Sequence, residues 1–367
     1  MERKICLIYN YAQHYRSNIF TLMDKELCCD FVFGDKMDDV KKMDYSLLSH
    51  FKKEVQNKIF VINPFYYQSH VLSLLKEDYT SYLILGELFC VSTWLMLFGS
   101  KLYGKNIYLW SHGWYGKEGY IRKILKRFFF SMAEGTFLYG NYAKELMIQE
   151  GLNADKLHVI YNSLAYDEQI EIRKSLKMNN KYSEYFGNNF YNLIFVGRLN
   201  YSKRLDLLLD ALVILKAQFK HFNLTLIGDG DQKEKLMALT KQLGLKDNVW
   251  FYGECYDEKE LSVLIFNADL CVSPGNVGLT AMHAMVFGTP VLTHNNLLHQ
   301  GPEFEAINYP KTGIFFEYEN CQSLADKIIT WFEVMPDREQ VRKNCYEVID
   351  TRYNPHVQLE TFKKHLK

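Results

Sequence analysis

Two cations and two glycines in the second half of the chain have the types and spacing of a site for a diphosphate. Arg198 directly follows the apolar run of residues 191–197, and Lys203 comes a few residues later. Arginine presents a two-pronged donor to an oxyanion, and lysine adds a mobile point charge. Gly275 and Gly278 lie in a loop after another apolar run, where glycine lets backbone amides approach an anion closely. Together these residues predict that a pyrophosphate group binds here.

The loop that contains the two glycines reads GNVGLTAMH and supplies the other candidates. A helix is predicted to begin near Gly278, so that several amides could point at one anion. Taken alone, a Gly-x2-Gly loop is weak evidence, and the two cations could equally belong to the solvated start of a helix. Their position at two strand ends favours a binding site. Its candidate residues are Arg198, Lys203, Gly275, Asn276, Val277, Gly278, Leu279 and Thr280.

Apolar runs alternate with helical patterns along the whole chain, which predicts parallel sheets covered by helices. The runs in the first half span residues 4–10, 28–35, 82–87, 106–113, 136–140 and 157–162. Those in the second half span residues 191–197, 222–228, 248–253, 269–274, 289–294 and 313–318. We therefore predict an α/β protein with two Rossmann-like domains, whose parallel sheets face each other across a cleft.

A polar stretch between the two halves sets the predicted domain boundaries. Residues 169–190 are rich in Asn, Lys, Glu and Tyr and only weakly periodic, which is typical of a linker. The N-terminal domain is then 1–168, and the C-terminal domain is 191–340. Residues 341–367 are predicted to form a helix that packs back toward the N-terminal domain.

Composition argues against several classes of function. Lys plus Arg and Asp plus Glu both number 43, so the absence of net charge gives no support for a nucleic-acid partner. The eight cysteines lack metal-type pairs and lie mostly in apolar segments, which indicates reduced cysteines of a cytoplasmic protein. The N-terminus starts with a strand-like run rather than a signal-peptide core, so export is not expected. The sequence GDGD at 228–231 fits a turn better than a metal motif, and no Gly-x-Gly-x2-Gly follows the first strand.

Four segments between residue 191 and about residue 335 carry a resemblance to a known family. They read FVGRLNYSKRLDLLLDAL, LTLIGDGDQKEKL, NVWFYGECYDEKELSVLIFNADLCVSPGNVGLTAMHAMVFGTPV and EAINYPKTGIFF. In order and spacing they resemble the donor-binding half of the family 4 glycosyltransferases of GT-B fold. The first half is more weakly similar, in YAQHYRSNIF and LWSHGWYGKEGYIRKILKRFFF, to the acceptor side of surface-polysaccharide members.

The resemblance implies a retaining transfer of a sugar from a nucleotide diphosphate sugar, without a structural need for metal or another cofactor. Arg198 and Lys203 match the phosphate-binding Arg and Lys of the family. The family's loop typically reads Glu-Gly-Phe-Gly-Leu-x3-Glu, with the first carboxylate on the donor sugar and the second on the ribose. In this chain the two positions hold Gly275 and His283.

The missing carboxylates need replacements if the site still binds a donor. A neutral imidazole has an acceptor nitrogen, so His283 could still hold a ribose hydroxyl, whereas Gly275 cannot replace a carboxylate. Glu303 and Glu305 in the following loop are candidates for the donor sugar. Glu305 matches an acidic residue that is common there in the resembled family.

The first half should supply the acceptor site and the residue nearest the reacting carbon. His112 and Gly113 follow a predicted buried strand, and the resembled family has a His by the donor sugar in this segment, so His112 is the catalytic candidate. His14 and Arg16, after the first strand, are candidates for binding an acceptor phosphate or sugar. Glu87 ends another predicted strand and could either face the same site or cap a helix.

Residues 120–130 predict an amphipathic helix. At about 100° per residue, the four cations Arg122, Lys123, Lys126 and Arg127 share one arc, and apolar residues fill the opposite side. This pattern fits a helix that lies on anionic lipid, and it also fits an ordinary helix that covers a sheet.

These observations predict a cytoplasmic glycosyltransferase, peripheral on the cytoplasmic face of the inner membrane, that extends a surface polysaccharide. Its partners would be a nucleotide-sugar donor and a saccharide or lipid-linked acceptor. Two alternatives stay open. One is a GT-B protein that binds nucleotide sugars but has lost transfer. The other is a nucleotide-sugar epimerase on the same fold, which the missing carboxylates disfavour because epimerisation needs acid and base groups around the sugar.

Overall fold

The structure is a computed structural model that describes residues 5–36, 40–61, 64–334 and 337–366. The chain divides into two compact units. The first unit comprises Met1–Ala165 and Asn354–Lys367, and the second comprises Tyr166–Tyr353. The predicted N-terminal domain begins at residue 1, and the predicted C-terminal helix ends at residue 367. Residues 1–4 and 367 lie outside the described residues.

A parallel sheet forms the centre of the first unit. The strands of this unit are β1 Ile5–Tyr9, β2 Cys29–Gly34, β3 Phe51–Val55, β4 Asn57–Ile59, β5 Tyr66–Gln68, β6 Ser81–Leu85, β7 Asn106–Ser111, β8 Gly135–Leu138 and β9 Leu157–Val159. Seven of them form the sheet in the order β3-β2-β1-β6-β7-β8-β9, and β4 pairs with β5 in an antiparallel hairpin. The strand β1 is buried throughout, with Leu7 level with Phe31 and Leu83 in its neighbours. A strand buried on both faces appears in the sequence as a continuous apolar run.

Helices cover both faces of this sheet. They are α1 Ser17–Leu27, α2 Val91–Tyr103, α3 Tyr120–Ser131 and α4 Asn141–Gln149. Within the described part of the chain, no helix combines the length and the apolar character needed to cross a membrane.

The second unit contains a six-stranded parallel sheet. Its strands are β10 Tyr191–Val196, β11 Phe222–Ile227, β12 Val249–Gly253, β13 Leu270–Ser273, β14 Val291–His294 and β15 Gly313–Phe316. The strand order is β12-β11-β10-β13-β14-β15, so successive strands are added on one side of β10 and then on the other. In such a sheet, ligands bind beyond the carboxyl ends of the two strands where this order reverses. Those strands are β10 and β13.

The helices of the second unit include two in the predicted linker. Among the described residues they are α5 Tyr166–Ser175, α6 Lys181–Phe186, α7 Leu205–Ala217, α8 Lys233–Gln242, α9 Glu258–Asn267, α10 Thr280–Val286, α11 Cys321–Val334 and α12 Arg338–Thr351. The prediction of a linker at 169–190 therefore needs correction, because α5 and α6 are integral to this unit. The buried Tyr182 donates to the carbonyl of Leu264 at 2.8 Å, and Arg173 forms a 2.8 Å ion pair with Asp350. Because only a few side chains anchor each of these short helices to the unit, most of their sequence is polar and resembles a linker.

The predicted C-terminal helix is two helices. Helix α12 stays with the second unit, and α13 Pro355–His365 belongs to the first. Between them, the Asn354 side chain accepts from the amide of Val357 at 3.0 Å and caps α13. On α13, the ring of Phe362 packs against Trp110 and Phe137 in the core of the first unit, with centroids 5.1 and 4.7 Å apart.

Candidate functional site

Lys203 lies at the strand ends where the order of the second sheet reverses. It follows β10, and its Nζ donates to the carbonyl of Asn276, which follows β13, at 2.7 Å. Burial lowers the pKa of Lys203, and the negative charge of Glu303 acts in the opposite direction. The ammonium group therefore joins the two loops that the sequence predicted to bind a diphosphate. Arg198, from the same loop, is exposed.

Gly275 has no room for a side chain. A Cβ atom built there would lie 1.9 Å from the carbonyl oxygen of Ser202 and 2.8 Å from the Cα of Lys203. The amide of Gly275 also donates to the carbonyl of Lys203 at 3.0 Å. The carboxylate of the resembled family is thus absent because the turn that carries Lys203 occupies its place.

Not all the amides predicted to bind an anion are available. The amide of the buried Val277 donates to Oε1 of Gln300 at 2.9 Å, which corrects the prediction that it faces a ligand. Gly278 has a φ of +49°, in the left-handed region that favours glycine. Within the described residues, the amides of Gly278 and Leu279 have no hydrogen-bond acceptor. These two amides can bind an anion beside Lys203.

A buried carboxylate lies close to this loop. Oε2 of Glu303 is 2.7 Å from the position of a Cβ on Gly301, and Oδ1 of Asn276 and the Cα of Gly278 lie 3.4 and 3.6 Å from the same point. Glu303 is buried, whereas Glu305 is partly exposed. Glu303 is therefore the carboxylate that the structure brings to Lys203 and Gly278.

Thr280 and His283 on α10 make contacts that position this helix. Oγ1 of Thr280 donates to the carbonyl of Val196 at the end of β10, at 3.0 Å. Nε2 of His283 lies 3.0 Å from Oε1 of Glu258, which also accepts from Gln169 at 2.7 Å. Burial raises the pKa of Glu258, but the hydrogen bonds from His283 and Gln169 bring it below its usual value. With Nε2 engaged, His283 retains only Nδ1 for a ligand.

The pair of Glu258 and His283 should contribute to stability in a pH-dependent way. A carboxylate whose pKa is lowered by folding stabilises the protein above its unfolded pKa of 4.5, and this stabilisation is lost as the pH falls through the lower folded value. We expect Glu258→Gln to reduce the free energy of unfolding by ~1.5–3 kcal/mol at pH 7. The difference from the wild type should shrink below pH 4.5. Urea unfolding at several pH values measures this, with the exposed Glu234→Gln as control. An equal difference at every pH would contradict a contribution from the ionised Glu258 carboxylate.

The first unit has a cavity of about 330 Å³ at the carboxyl ends of β1, β6 and β7. His112, Gly113 and Arg16, all predicted from the sequence, line it. Gly113 has a φ of +67°, and a Cβ there would lie 2.7 Å from a methyl carbon of Leu138. His14 does not line the cavity, which corrects its prediction as an acceptor ligand; its Nδ1 lies 3.2 Å from the carbonyl of Lys41.

The His112 ring lies where solvent reaches it, yet protein atoms surround it closely. Desolvation and the positive charges of Arg16 and Lys126 lower its pKa below the usual value. The imidazole is neutral at neutral pH and can both donate and accept a hydrogen bond.

Helix α3 is oriented differently from the prediction. Lys126 is only 5% exposed, and its Nζ pairs with Glu118 at 2.6 Å and donates to the carbonyl of Gly113 at 2.7 Å. The predicted basic face therefore loses Lys126, while Arg122 and Arg127 are exposed. The solvent instead meets a stripe of large apolar side chains, namely Tyr120, Ile121, Ile124, Leu125 and Phe128.

Residues 179–348 match the family described as glycosyl transferases group 1. This range covers most of the second unit. The second unit is thus similar to the glycosyl transferases of group 1 over most of its length. In this domain, the loops that contain Lys203 and Gly278 follow the two central strands of the sheet.

The names of two curated relatives of the chain refer to a cps region and to O-antigen biosynthesis. A Klebsiella pneumoniae protein described as an uncharacterized 41.2 kDa protein in the cps region is 27% identical over 212 residues, 56% of this chain and 53% of that protein. The Escherichia coli O-antigen biosynthesis glycosyltransferase WbnH is 25% identical over 237 residues, 60% of this chain and 63% of that protein. The chain thus spans between half and two thirds of the length of these relatives.

Solved structures show the fold of the whole chain. The Anabaena protein HepE, solved in complex with UDP, has a TM-score of 0.73 and 16% identity, and the match covers 99% of both chains. This similarity confirms the prediction of a GT-B fold with two Rossmann-like domains.

Three carboxylates of these sites were missed or only partly anticipated. Glu258 is 25 residues from His283, and nothing in the local pattern links them. Glu118 precedes α3 and could have been found as a possible partner for the basic residues of that helix. Glu303 was considered, but the match to the resembled family favoured Glu305.

Proposed function

We propose that this chain is a retaining glycosyltransferase that transfers a sugar from a nucleotide diphosphate sugar to a saccharide or lipid-linked acceptor in surface-polysaccharide synthesis. The observation that carries the proposal is the position of Lys203 beside the amides of Gly278 and Leu279, at the ends of β10 and β13. The family match of the second unit and the names of the relatives support it.

The second unit would bind the donor. The ammonium of Lys203, the guanidinium of Arg198 and the two available amides offer the donors that a diphosphate requires. HepE is described in complex with UDP, so a uridine diphosphate sugar is the first donor to test. Glu303 would accept hydrogen bonds from the donor sugar, and His283 would accept one from the ribose.

The first unit would bind the acceptor in the cavity that contains His112. Because the imidazole is neutral at neutral pH, it can hydrogen-bond a sugar hydroxyl without adding a charge that competes with the cations. We propose that His112 orients the reacting sugar. Retention of the anomeric configuration follows from the resemblance to family 4 and is part of the proposal.

The function can be tested by binding and by turnover. A thermal-shift screen of UDP-, GDP- and CMP-sugars identifies the donor, because a ligand that binds only the native state raises the melting temperature. Product analysis with that donor and a lipid extract then measures transfer and its stereochemistry. Binding without transfer would favour the alternative of a binding-only GT-B protein, and an altered free nucleotide sugar would favour the epimerase.

We also propose that helices α2 and α3 dock on an anionic membrane. Ile121 is 74% exposed on α3 and Leu102 is 87% exposed on α2. The Phe128 ring on α3 stacks with Trp94 and packs at a tilt against Phe98, both on α2, at centroid distances of 6.1 and 6.2 Å, so the two apolar faces are continuous. An exposed apolar surface flanked by arginines is typical of an interfacial helix.

Neutralising the exposed arginines of α3 should weaken vesicle binding. Each cation near an anionic surface contributes about 1 kcal/mol, so the double variant Arg122→Gln, Arg127→Gln should bind phosphatidylglycerol vesicles roughly thirtyfold more weakly. Lys126 is left unchanged because it is buried in its pair with Glu118. Sedimentation with vesicles measures the effect, and Lys235→Gln, Lys241→Gln on α8 is the control. If the wild type fails to bind at low salt, the membrane proposal is wrong.

A further inference from the structure

A buried arginine without a carboxylate partner lines the cavity of the first unit. Arg16 is 6% exposed, and its Nε is buried without a hydrogen-bond acceptor. In the part of the chain that the structure describes, no ion pair involves Arg16, and the groups that raise its pKa are tyrosines. A buried cation is costly unless an opposite charge or a hydrogen-bond acceptor compensates it. Its position therefore suggests that the compensating group comes from a ligand.

Aromatic rings hold the Arg16 guanidinium in place. Its central carbon lies 5.1 Å from the ring centroid of Tyr139, 5.2 Å from that of Trp110 and 5.7 Å from that of Tyr9. Such cation–π contacts fix the side chain while leaving the charge unneutralised. The hydroxyls of Tyr9 and Tyr139 are engaged with each other at 3.0 Å.

The other charged groups leave the cavity positive. Arg122 and Lys126 also line it, together with the carboxylate of Glu87. Glu87 accepts from the hydroxyl of Tyr66 at 2.7 Å, and Glu118 neutralises Lys126 at 2.6 Å. Lys126 is thus matched by Glu118, and Arg122 is exposed to solvent, which leaves Arg16 as a buried cation for which the described residues show no ion pair.

An apolar groove adjoins the cavity. Its volume is about 700 Å³, and Phe65, Trp94, Tyr120, Ile121 and Leu125 contribute to its walls. Leu88, Phe89 and Arg122 line both the groove and the cavity. An anionic group next to Arg16 could therefore continue into an apolar chain without crossing open solvent.

We propose that Arg16 binds the phosphate or diphosphate of a lipid-linked acceptor, and that the adjoining groove holds the first part of its hydrocarbon chain. The inference rests on the proposed function and specifies the acceptor as a lipid phosphate rather than a free saccharide. Arg16 supplies the bidentate donor that a phosphate favours. Arg122 lines both the cavity and the groove. The exposed apolar stripe of α3, which adjoins the groove, would contact the membrane.

The test uses three soluble probes with the full-length protein, namely geranyl diphosphate, inorganic diphosphate and geraniol. Trp110 contacts Arg16 and Trp94 lines the groove, so tryptophan fluorescence and calorimetry can both report binding. The wild type should bind geranyl diphosphate more tightly than either partial probe. Arg16→Met should weaken the binding of both diphosphates about tenfold or more and leave geraniol unchanged, because only the charge-assisted contact is lost.

Two further variants serve as a control and as an alternative to Arg16→Met. Lys25→Met removes an exposed cation of α1 that lines neither the cavity nor the groove, and should bind all three probes as the wild type does. If Arg16→Met does not fold, Arg16→Lys, which keeps the charge but loses the fork, should bind geranyl diphosphate with intermediate affinity.

Unchanged binding of geranyl diphosphate in Arg16→Met or Arg16→Lys would overturn the assignment. So would wild-type protein that binds none of the diphosphate probes. Donor binding is followed in the same variants with the nucleotide sugar from the thermal-shift screen. A failure confined to the three lipid probes contradicts only this inference, whereas a wild type that binds no nucleotide sugar contradicts the proposed function.

Discussion

Lys203→Ala should lower the affinity for the nucleotide diphosphate sugar by ~1.5–3 kcal/mol, the usual scale for hydrogen bonds to a charged group. The variant loses the ammonium that would contact the diphosphate. It also loses the 2.7 Å contact with the carbonyl of Asn276, which holds the loop before Gly278. Both effects act on the donor, so we expect about a ten- to hundredfold increase in the dissociation constant.

Calorimetry with the donor identified by thermal shift measures this change. Lys216→Ala is a matched control, because Nζ of Lys216 also donates to a backbone carbonyl, that of Gly244 at 3.0 Å, but in the last turn of α7, at the end opposite to the β10 loop. Arg198→Ala should weaken binding on the same scale as Lys203→Ala. Unchanged affinity in both variants would mean that the diphosphate binds elsewhere.

The sequence predicted the central strands well and the edge of the first sheet poorly. Strands such as β1 and β10 are buried on both faces and form continuous apolar runs. The edge strand β3, with the sequence FKKEV, was missed because its side chains alternate between partly buried and exposed positions and only Val55 is buried. Its polar residues pair with neighbours, as in the 2.6 Å contact of Glu54 with Lys42. Such pairs involve other segments of the chain, which a local pattern does not reveal.

The candidate sites, like the strands, could be predicted only in part. Lys203 and Gly278 could be predicted because the rule about strand ends needs only the order of the elements. The orientation of α3 could not, because a helical wheel shows two contrasting faces without telling which one packs. The structure buries Lys126, since Glu118 and the carbonyl of Gly113 compensate its charge. The apolar stripe of α3 is therefore exposed to solvent.

The absence of a carboxylate at position 275 leads to the remaining prediction. A glutamate at this position would match the resembled family, and a simple substitution argument would expect Gly275→Glu to improve donor binding. The structure predicts the opposite, since a Cβ on Gly275 would lie 1.9 Å from the carbonyl oxygen of Ser202. Any side chain must displace the turn that carries Lys203, so even Gly275→Ala should destabilise the protein by about 1–3 kcal/mol or more, the scale of overpacked sites.

Gly275→Ala and Gly275→Glu should therefore both lose donor affinity at least as strongly as Lys203→Ala, because the displaced turn carries the ammonium away from Asn276 and Gly278. Urea unfolding and calorimetry measure the two effects separately. Gly119→Ala is the control, since Gly119 has a φ of −69° and a Cβ there meets no atom within 4 Å. A Gly275→Glu variant with wild-type stability and tighter donor binding would show that the turn can open. In that case Glu303 need not be the carboxylate for the donor sugar, and the arrangement typical of the resembled family would still be accessible to this chain.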